Sequence, residues 1–455
     1  MASEDRPQYE SMSSEAASSA HHRSVTSHPA SKDDKADALV PSLESEHPYA
    51  KSTEIRNVIL LGVIFSLYFA LRSGCVVVLP LACKHLLQDE LADATHSPLY
   101  QLPLALWFLS DVGLATPNAV FMRRYGRRAG FSLGACVGLV AAVGAFLAMR
   151  FVANPWASFI LLNVCASIMG VLGMAEFVRY AVMEALIDKT RFAAVAPIVL
   201  SFAALTSFFG PFSTSFASYL EKANTLYGYA DFCLFAAGFA VLYLVAALGL
   251  RLPLPSVSST TSPTPLSQVL KRPGVWSSIL SQVVVQFTMV TPMSGVSLAM
   301  DDKFPSAAAK GSFLISGCVV SHIWGMFVPG FFTGKLIGRF GDFSIMAAGL
   351  LVQVAANIIL LCGDMQWNFY SGLILIGVGW NFSFNAGTSL LMKHHSSEER
   401  QKVSSVNESL RFLANAIASI LSSTLPWDII NYLGLGLCIM VFPVLVIAHK
   451  SNVVQ

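Results

Sequence analysis

The residues most able to do chemistry in this 455-residue sequence are the few ionisable side chains set inside long apolar runs. A charge in hydrocarbon is costly and normally faces a cavity or a partner. Arg72 lies in the run 57–82, Asp111 in 99–122 and His322 in 310–333. Arg72 suits attraction of an anionic or hydrogen-bonding solute, and Asp111 suits a group that takes up and releases a proton. The competing reading pairs the two as a buried structural ion pair between neighbouring helices, and both readings stay open. His titrates near working pH, which fits a proton-linked step for His322; with no visible partner, it fits a neutral hydrogen-bonded helix contact better. Gln282 and Gln286 share one helical face four residues apart, and Asn381 and Asn385 do the same beside Trp380. These amides and the indole can hold a polar solute, or the amides can hold helices together.

A second set sits near the ends of runs. Glu176 and Arg179 are three residues apart, as are Glu408 and Arg411, so each pair shares a helix face. Such pairs read as gates, or as charges that snorkel to the interface, before they read as solute contacts. Pro117, Pro197, Pro211, Pro292 and Pro329 fall inside runs, where they kink helices.

Other chemistries lack their residues. The eight cysteines are scattered singly, mostly in apolar runs, and His394 and His395 sit in a polar stretch, so no metal site is expected. There is no His-rich box and no phosphate-cradling Gly-x-x-x-x-Gly-Lys loop. No cofactor is expected, and a membrane-embedded enzyme is the weaker reading. A channel would need a charge ring or filter repeat.

The elements that must position these residues follow from composition. Hydrophobic residues make up 54% and charged ones 12%, about half the charge of a soluble domain, so the bilayer is the natural solvent. The 29 Lys and Arg nearly balance 27 Asp and Glu, which gives no field for nucleic acid. Runs long enough to cross about 30 Å of hydrocarbon cover 57–82, 99–122, 129–149, 153–178, 192–219, 229–251, 273–298, 310–333, 343–363, 367–391, 404–425 and 428–448. With the N-terminus inside, the inner loops hold Arg123, Arg124, Arg127, Arg128, Arg179, Lys189, Arg191, Arg251, Lys271, Lys335, Arg339, Lys393, Arg400 and Lys402. The outer loops hold only Lys84, Arg150, Lys222, Lys303 and Lys310. That asymmetry predicts an even helix count with both termini cytoplasmic.

The expected division is a disordered tail over 1–56, a six-helix bundle over 57–251, a Ser/Thr/Pro-rich linker over 252–272, a second six-helix bundle over 273–448 and a short tail over 449–455. The tail lacks the basic start and apolar middle of a signal peptide, and its Tyr9-Glu-Ser-Met12 fits a short sorting pattern that also arises by chance.

The two halves repeat one word at one place. Arg124-Tyr-Gly-Arg-Arg128 follows the second run and Arg339-Phe-Gly-Asp342 follows the eighth, with Gly126 and Gly341 at the tight turns. This arrangement resembles the major facilitator superfamily, whose loop motif reads roughly Gly-x-Leu-Ala-Asp-Arg-x-Gly-Arg-Arg. The second copy keeps Gly334, Leu336, Arg339 and Gly341; the first keeps Arg124, Gly126, Arg127 and Arg128. The motif's acid falls on Arg123 and Gly338, so its usual charge relay has no acid here. The fourth run keeps Gly173 and Ala175 without the family's membrane Arg, and the fifth keeps only Gly210-Pro211 of the antiporter signature, so proton antiport gains little support.

Met122 to Phe131, His322 to Ile337 and Gly379 to Phe382 resemble a mostly uncharacterised group of bacterial permeases in the superfamily, and distant resemblance extends to some riboflavin carriers. The resemblance implies an all-α fold of twelve transmembrane helices in two pseudosymmetric bundles, a cavity built largely from the first, fourth, seventh and tenth, and alternating access. It also implies a monomer in a plasma or organelle membrane that moves a small polar or anionic organic solute, with or without a proton. A solute sensor on the same fold is the alternative. The resemblance names no cargo: amino acid, nucleoside, carboxylate and vitamin all fit.

Overall fold

In hydrocarbon every backbone N–H and C=O must be satisfied within the protein, so the apolar runs form helices. The computed structural model describes residues 51–91, 97–212, 226–252, 264–304, 313–396 and 399–454. The chain is laid out as α1 (Lys51–Leu86), α2 (Pro98–Tyr125), α3 (Arg127–Phe151), α4 (Pro155–Ala185), α5 (Val195–Phe212), α6 (Gly228–Leu248), α7 (Pro273–Lys303), α8 (Phe313–Phe340) and α9 (Asp342–Leu361). Then follow α10 (Gln366–Lys393), α11 (Arg400–Thr424) and α12 (Trp427–Val454). Ten of these are long and apolar enough to cross a membrane by composition. The other two, α10 and α11, complete the twelve. They fall short because of polar residues: α11 buries Ser404, Asn407, Glu408, Arg411, Asn415, Ser419 and Ser422 inside the protein.

Local chemistry sets the helix ends. Ser97 caps α2 by accepting from the Leu99 amide, and Asn154 caps α4 by accepting from the Ala157 amide, each with Pro opening the helix. The two motif turns are near copies. Gly126 (φ 87°, ψ 160°) separates α2 from α3, and Gly341 (φ 84°, ψ 159°) separates α8 from α9. Each donates its amide four residues back, to Met122 and Ile337 respectively. A positive φ at both positions explains why the repeated word is centred on Gly.

Helix packing follows the same sixfold shift. α3 packs on α6 as α9 packs on α12; α1 on α6 as α7 on α12; and α2 on α4 as α8 on α10. The halves meet mainly where α2 lies on α11 and α5 on α8, again an exchange of equivalent partners. Small residues allow the closest crossings. On α9 and α10, a Cβ at Gly349 would come 2.5 Å from the Gly379 carbonyl oxygen, and one at Gly379 would come 2.6 Å from that of Gly349.

α4 is irregular in its middle, where Met169–Phe177 winds as a 3₁₀ helix. Nine residues is long for that geometry, and the segment carries Glu176 into the centre of the molecule.

Three expected boundaries differ. Helix α1 begins at Lys51, inside the expected tail, because Glu54 and Asn57 find partners: Arg191 donates to Glu54 at 3.2 Å, and Asn57 donates to the Arg251 carbonyl at 2.8 Å. The expected linker contains a helical turn, Leu266–Leu270, held because Val269 buries against Val275, Ile279, Leu391 and Val403. Helix α12 runs on through the expected terminal tail to Val454. The first fifty residues, with the Tyr9 pattern, and most of the Ser/Thr/Pro stretch lie outside the described residues.

Candidate functional site

Between the halves lies a cavity of about 60 Å³. Its walls come from Phe65, Phe69 and Arg72 of α1, Phe108 of α2, Glu176 and Arg179 of α4, and Leu200 of α5. Across from them stand Gln286, Met289, Val290 and Met293 of α7, Met326 and Phe327 of α8, Trp380 and Phe384 of α10, and Arg411 of α11. A second cavity of about 240 Å³ opens toward the end of the molecule that carries the glycine turns, and Arg179, Leu200 and Phe384 line both.

On the first-half wall, Arg72 Nη1 donates to Tyr68 Oη and to Glu176 Oε1, both at 2.5 Å, and Tyr68 Oη donates to the same Glu176 oxygen at 3.0 Å. The guanidinium also lies over the Phe108 ring, 5.0 Å from its centroid, a geometry that favours a desolvated cation.

On the second-half wall, Trp380 and Phe384 stack at 4.5 Å with an interplanar angle of 11°. Phe327 meets Trp380 edge-on at 6.1 Å, and Phe69 meets Phe327 edge-on at 4.7 Å, so aromatic packing crosses the cavity. Trp380 Nε1 donates to Gln286 Oε1 at 2.9 Å, and Arg411 Nη2 donates to the same oxygen at 3.3 Å.

One carboxylate joins the halves. Glu408 of α11 accepts from Arg411 at 2.7 Å, pairs with Arg179 of α4, and accepts from Tyr180 Oη at 3.4 Å. Arg179 and Arg411 lie 5.4 and 4.6 Å from the Phe384 centroid. Three guanidiniums therefore share two carboxylates here, Glu176 and Glu408. At the opposite end, Lys84 of α1 bridges Asp301 and Asp302 of α7 at 2.8 Å each, again between the halves.

Arg72 and Asp111, for which a buried pair is one of two open readings of the sequence, make no hydrogen bond to each other. Arg72 turns to Glu176, and Asp111 is 2% exposed, with neither carboxylate oxygen hydrogen-bonded among the described residues. It packs against α4, where an added Cβ at Gly173 would collide with its Oδ1. Nor do Glu176 and Arg179 pair with each other. Each finds a partner on another helix, because buried charges need opposite charges close by and Arg72 and Glu408 supply them.

Of the expected solute residues, Arg72, Gln286 and Trp380 line the central cavity and Asn385 lines the second. The others tie helices together. His322 bonds through Nδ1 to the Leu373 carbonyl at 2.7 Å, Gln282 Oε1 accepts from Asn407 at 3.3 Å and Thr388 at 3.4 Å, and Asn381 accepts from Thr333 at 2.6 Å.

Of the expected gating residues, Glu176, Arg179 and Arg411 line the central cavity, and Glu408 stands behind them. At the turns, Arg127 holds Glu184 at 2.7 Å; in the second half the equivalent place is taken by Asp342, which accepts from Lys393 at 2.5 Å. Arg124 and Arg339 lie over Tyr125 and Phe340, while Arg128 is exposed. Sequence reasoning missed Phe69, Phe108, Met289, Met293, Phe327 and Phe384, since an apolar residue in an apolar run carries no mark of facing a cavity. Among the described residues, no group of His, Cys, Asp and Glu could hold a metal ion.

Two six-helix bundles enclosing a charged cavity, with ion pairs joining them at both ends, are built for alternating access, and the protein is a multi-pass membrane protein of the secondary-transporter class. The sequence profile of the Major Facilitator Superfamily matches residues 60–419, and the chain belongs to that superfamily. Among curated relatives, the riboflavin transporter RfnT of Brucella anthropi is 29% identical over 364 residues, spanning 78% of this chain and 87% of that protein. The uncharacterized MFS-type transporter YddS of Bacillus subtilis is 26% identical over 376 residues, spanning 76% and 81%. Solved structures share the fold at low identity. The human organic anion transporter MFSD10 superposes with a TM-score of 0.61 at 16% identity, over 86% of this chain and 99% of its own. The E. coli fucose:proton symporter FucP gives 0.61 at 15%, over 87% and 99%.

Proposed function

We propose that this transporter carries a planar heteroaromatic solute with hydrogen-bond acceptors along one edge, riboflavin or a molecule of that kind, at the cavity between its halves. The cavity's volume of about 60 Å³ must widen as the halves rock apart to admit it. The observation that carries the reading is the stacked Trp380–Phe384 pair with Gln286 and Arg411 at its border. A flat ring stacks on such a platform, and the surrounding groups are mostly donors: Arg72, Arg179, Arg411 and Gln286 against Glu176. The relative whose name states a cargo, RfnT, points the same way.

Transport proceeds by rocking of the bundles 57–251 and 273–448 about this site. The basic loops support a cytoplasmic position for the glycine turns and both termini. Arg179–Glu408 then closes the inner side and Lys84–Asp301 the outer side, in a monomer. Arg72 stands between two carboxyls, Glu176 and the unpartnered Asp111, and a proton on either would free the guanidinium for the solute. Membership of a transporter superfamily supports reading the chain as a carrier and not as an enzyme.

The test is uptake of labelled riboflavin into proteoliposomes with and without an inward proton gradient. Saturable uptake supports the reading, and stimulation by the gradient supports proton coupling. A second reading, an aromatic carboxylate, is favoured by the three guanidiniums that line the cavity. Uptake of labelled benzoate with none of riboflavin selects it, and movement of neither leaves the sensor alternative.

A further inference from the structure

We infer that Gln286 selects the cargo by presenting a hydrogen-bond donor to a ring carbonyl, which makes it a specificity residue as well as a tie between helices. The inference rests on the reading of the central cavity as the binding place for a planar heteroaromatic solute.

The argument begins with which end of the amide faces the cavity. Side-chain amides are symmetric in shape, so their orientation follows from their partners. Here both partners are one-way. An indole N–H and a guanidinium N–H can donate and cannot accept, and Trp380 Nε1 and Arg411 Nη2 both point at one Gln286 atom, at 2.9 and 3.3 Å. That atom is the oxygen, and the NH₂ is the remaining end. It makes no hydrogen bond among the described residues, although Gln286 is 96% buried and lines the cavity. The NH₂ opens on the cavity, where a solute carbonyl stacked against Trp380 would accept from it.

The residue one turn earlier supplies the contrast. Gln282 has the same side chain on the same face of α7, but its oxygen is held by Asn407 of α11 and Thr388 of α10, and it lies off the cavity. The other polar groups around the cavity cannot make the same distinction. Arg72, Arg179 and Arg411 are charged donors committed to Glu176 and Glu408, so they favour any acceptor or anion. Gln286 alone among the cavity-lining residues offers a neutral donor whose direction is fixed at two points. A site built to donate to a carbonyl rejects an amine at that position, because two donors would face each other.

The test exchanges donor for acceptor at constant shape. Gln286→Glu keeps the oxygen that Trp380 and Arg411 hold and replaces the NH₂ by a second oxygen. Riboflavin is compared with a flavin analogue bearing an amino group in place of one ring carbonyl, by uptake kinetics. Uridine and cytidine, which differ by the same exchange, are compared by thermal shift of the purified protein. Wild type is expected to prefer the carbonyl ring by roughly tenfold or more. Gln286→Glu is expected to reverse the order through KM with little change in maximal rate, Gln286→Met to lose discrimination, and Gln282→Glu to leave it as in wild type. All variants are checked for a monodisperse elution profile.

A wild type that moves no riboflavin but prefers uridine, with reversal in Gln286→Glu, removes the flavin reading and keeps the selector. An unchanged preference in Gln286→Glu overturns the assignment, as does a wild type with no preference in either pair.

Discussion

The two walls of the central cavity are made of different material. The first six helices contribute Arg72, Glu176 and Arg179 beside the unstacked rings of Phe65, Phe69 and Phe108, and Tyr68 behind the first pair closes a hydrogen-bonded triangle. The last six contribute the Trp380–Phe384 stack, Phe327, three methionines, Gln286 and Arg411. Backbone pseudosymmetry is close, as the matching Gly126 and Gly341 turns show, yet the side chains facing the cavity do not repeat. The lesson is a division of labour. One half holds charge that can be redistributed, and the other holds a rigid surface on which a ring can lie. Glu408 connects them, since it binds Arg411 of its own helix and Arg179 of the other half.

The largest effect expected from breaking this arrangement is at Arg72. Arg72→Ala leaves Glu176 without its cation, and removing one member of a buried pair costs about 3–5 kcal/mol. Uptake is expected to vanish while the protein still elutes as a monodisperse species; unchanged kinetics would remove Arg72 from the site. Next comes the connection itself. Glu408→Gln takes the shared carboxylate from Arg179 and Arg411, and transport is expected to fall about tenfold, a loss of roughly 1.4 kcal/mol. A thiol probe at Ser389→Cys, in the second cavity, should then label faster. Equal labelling rates would show that the bridge does not hold the halves together.

A smaller effect tests the symmetry. At Gly341 an added Cβ meets nothing within 4 Å, so Gly341→Ala reports backbone strain alone. It is expected to lower stability by about 1–2 kcal/mol, read as a drop of a few degrees in the melting temperature of the detergent-solubilised protein; no shift would mean the turn tolerates a side chain at φ 84°.

The smallest effect lies outside the membrane, where Arg272 grips Glu399 through two hydrogen bonds at 2.8 and 2.9 Å. These bonds, and one from the Ser396 amide, push the Glu399 carboxyl down to about 2. Its folded value lies below the ordinary value of about 4.3, so the stabilisation is complete above that value and is lost as pH falls toward about 2. The melting difference between wild type and Arg272→Ala should therefore stay flat from about pH 5 to about pH 9 and narrow below about pH 4. A difference that changes near neutrality would show that another group carries it.

Most of the fold was legible in the sequence because the bilayer imposes it. Apolar length, loop charge and the repeated Arg-aromatic-Gly word are local features, and each survives folding unchanged. The site was legible only in part. Arg72, Gln286 and Trp380 stood out because polar and indole groups in hydrocarbon need partners, but which partner each takes depends on the relative placement of helices. Glu176 looked like half of a local pair with Arg179, and the structure sends the two to different helices. His322 and Asn381 carried the same mark as Gln286, yet their hydrogen bonds are spent on Leu373 and on Thr333. Phe384 and Phe327 carried no mark at all, though they form much of the platform.

The account stands most directly on the claim that cargo lies against Trp380. Flavin fluorescence is quenched on stacking with indole, so titrating riboflavin with purified wild-type protein and with Trp380→Ala measures that contact. Saturable quenching in wild type is expected, with affinity weakened by about tenfold in Trp380→Ala, the scale of an aromatic pair worth roughly 0.5–1.5 kcal/mol together with its lost area. Equal quenching and equal affinity in the two proteins would contradict it.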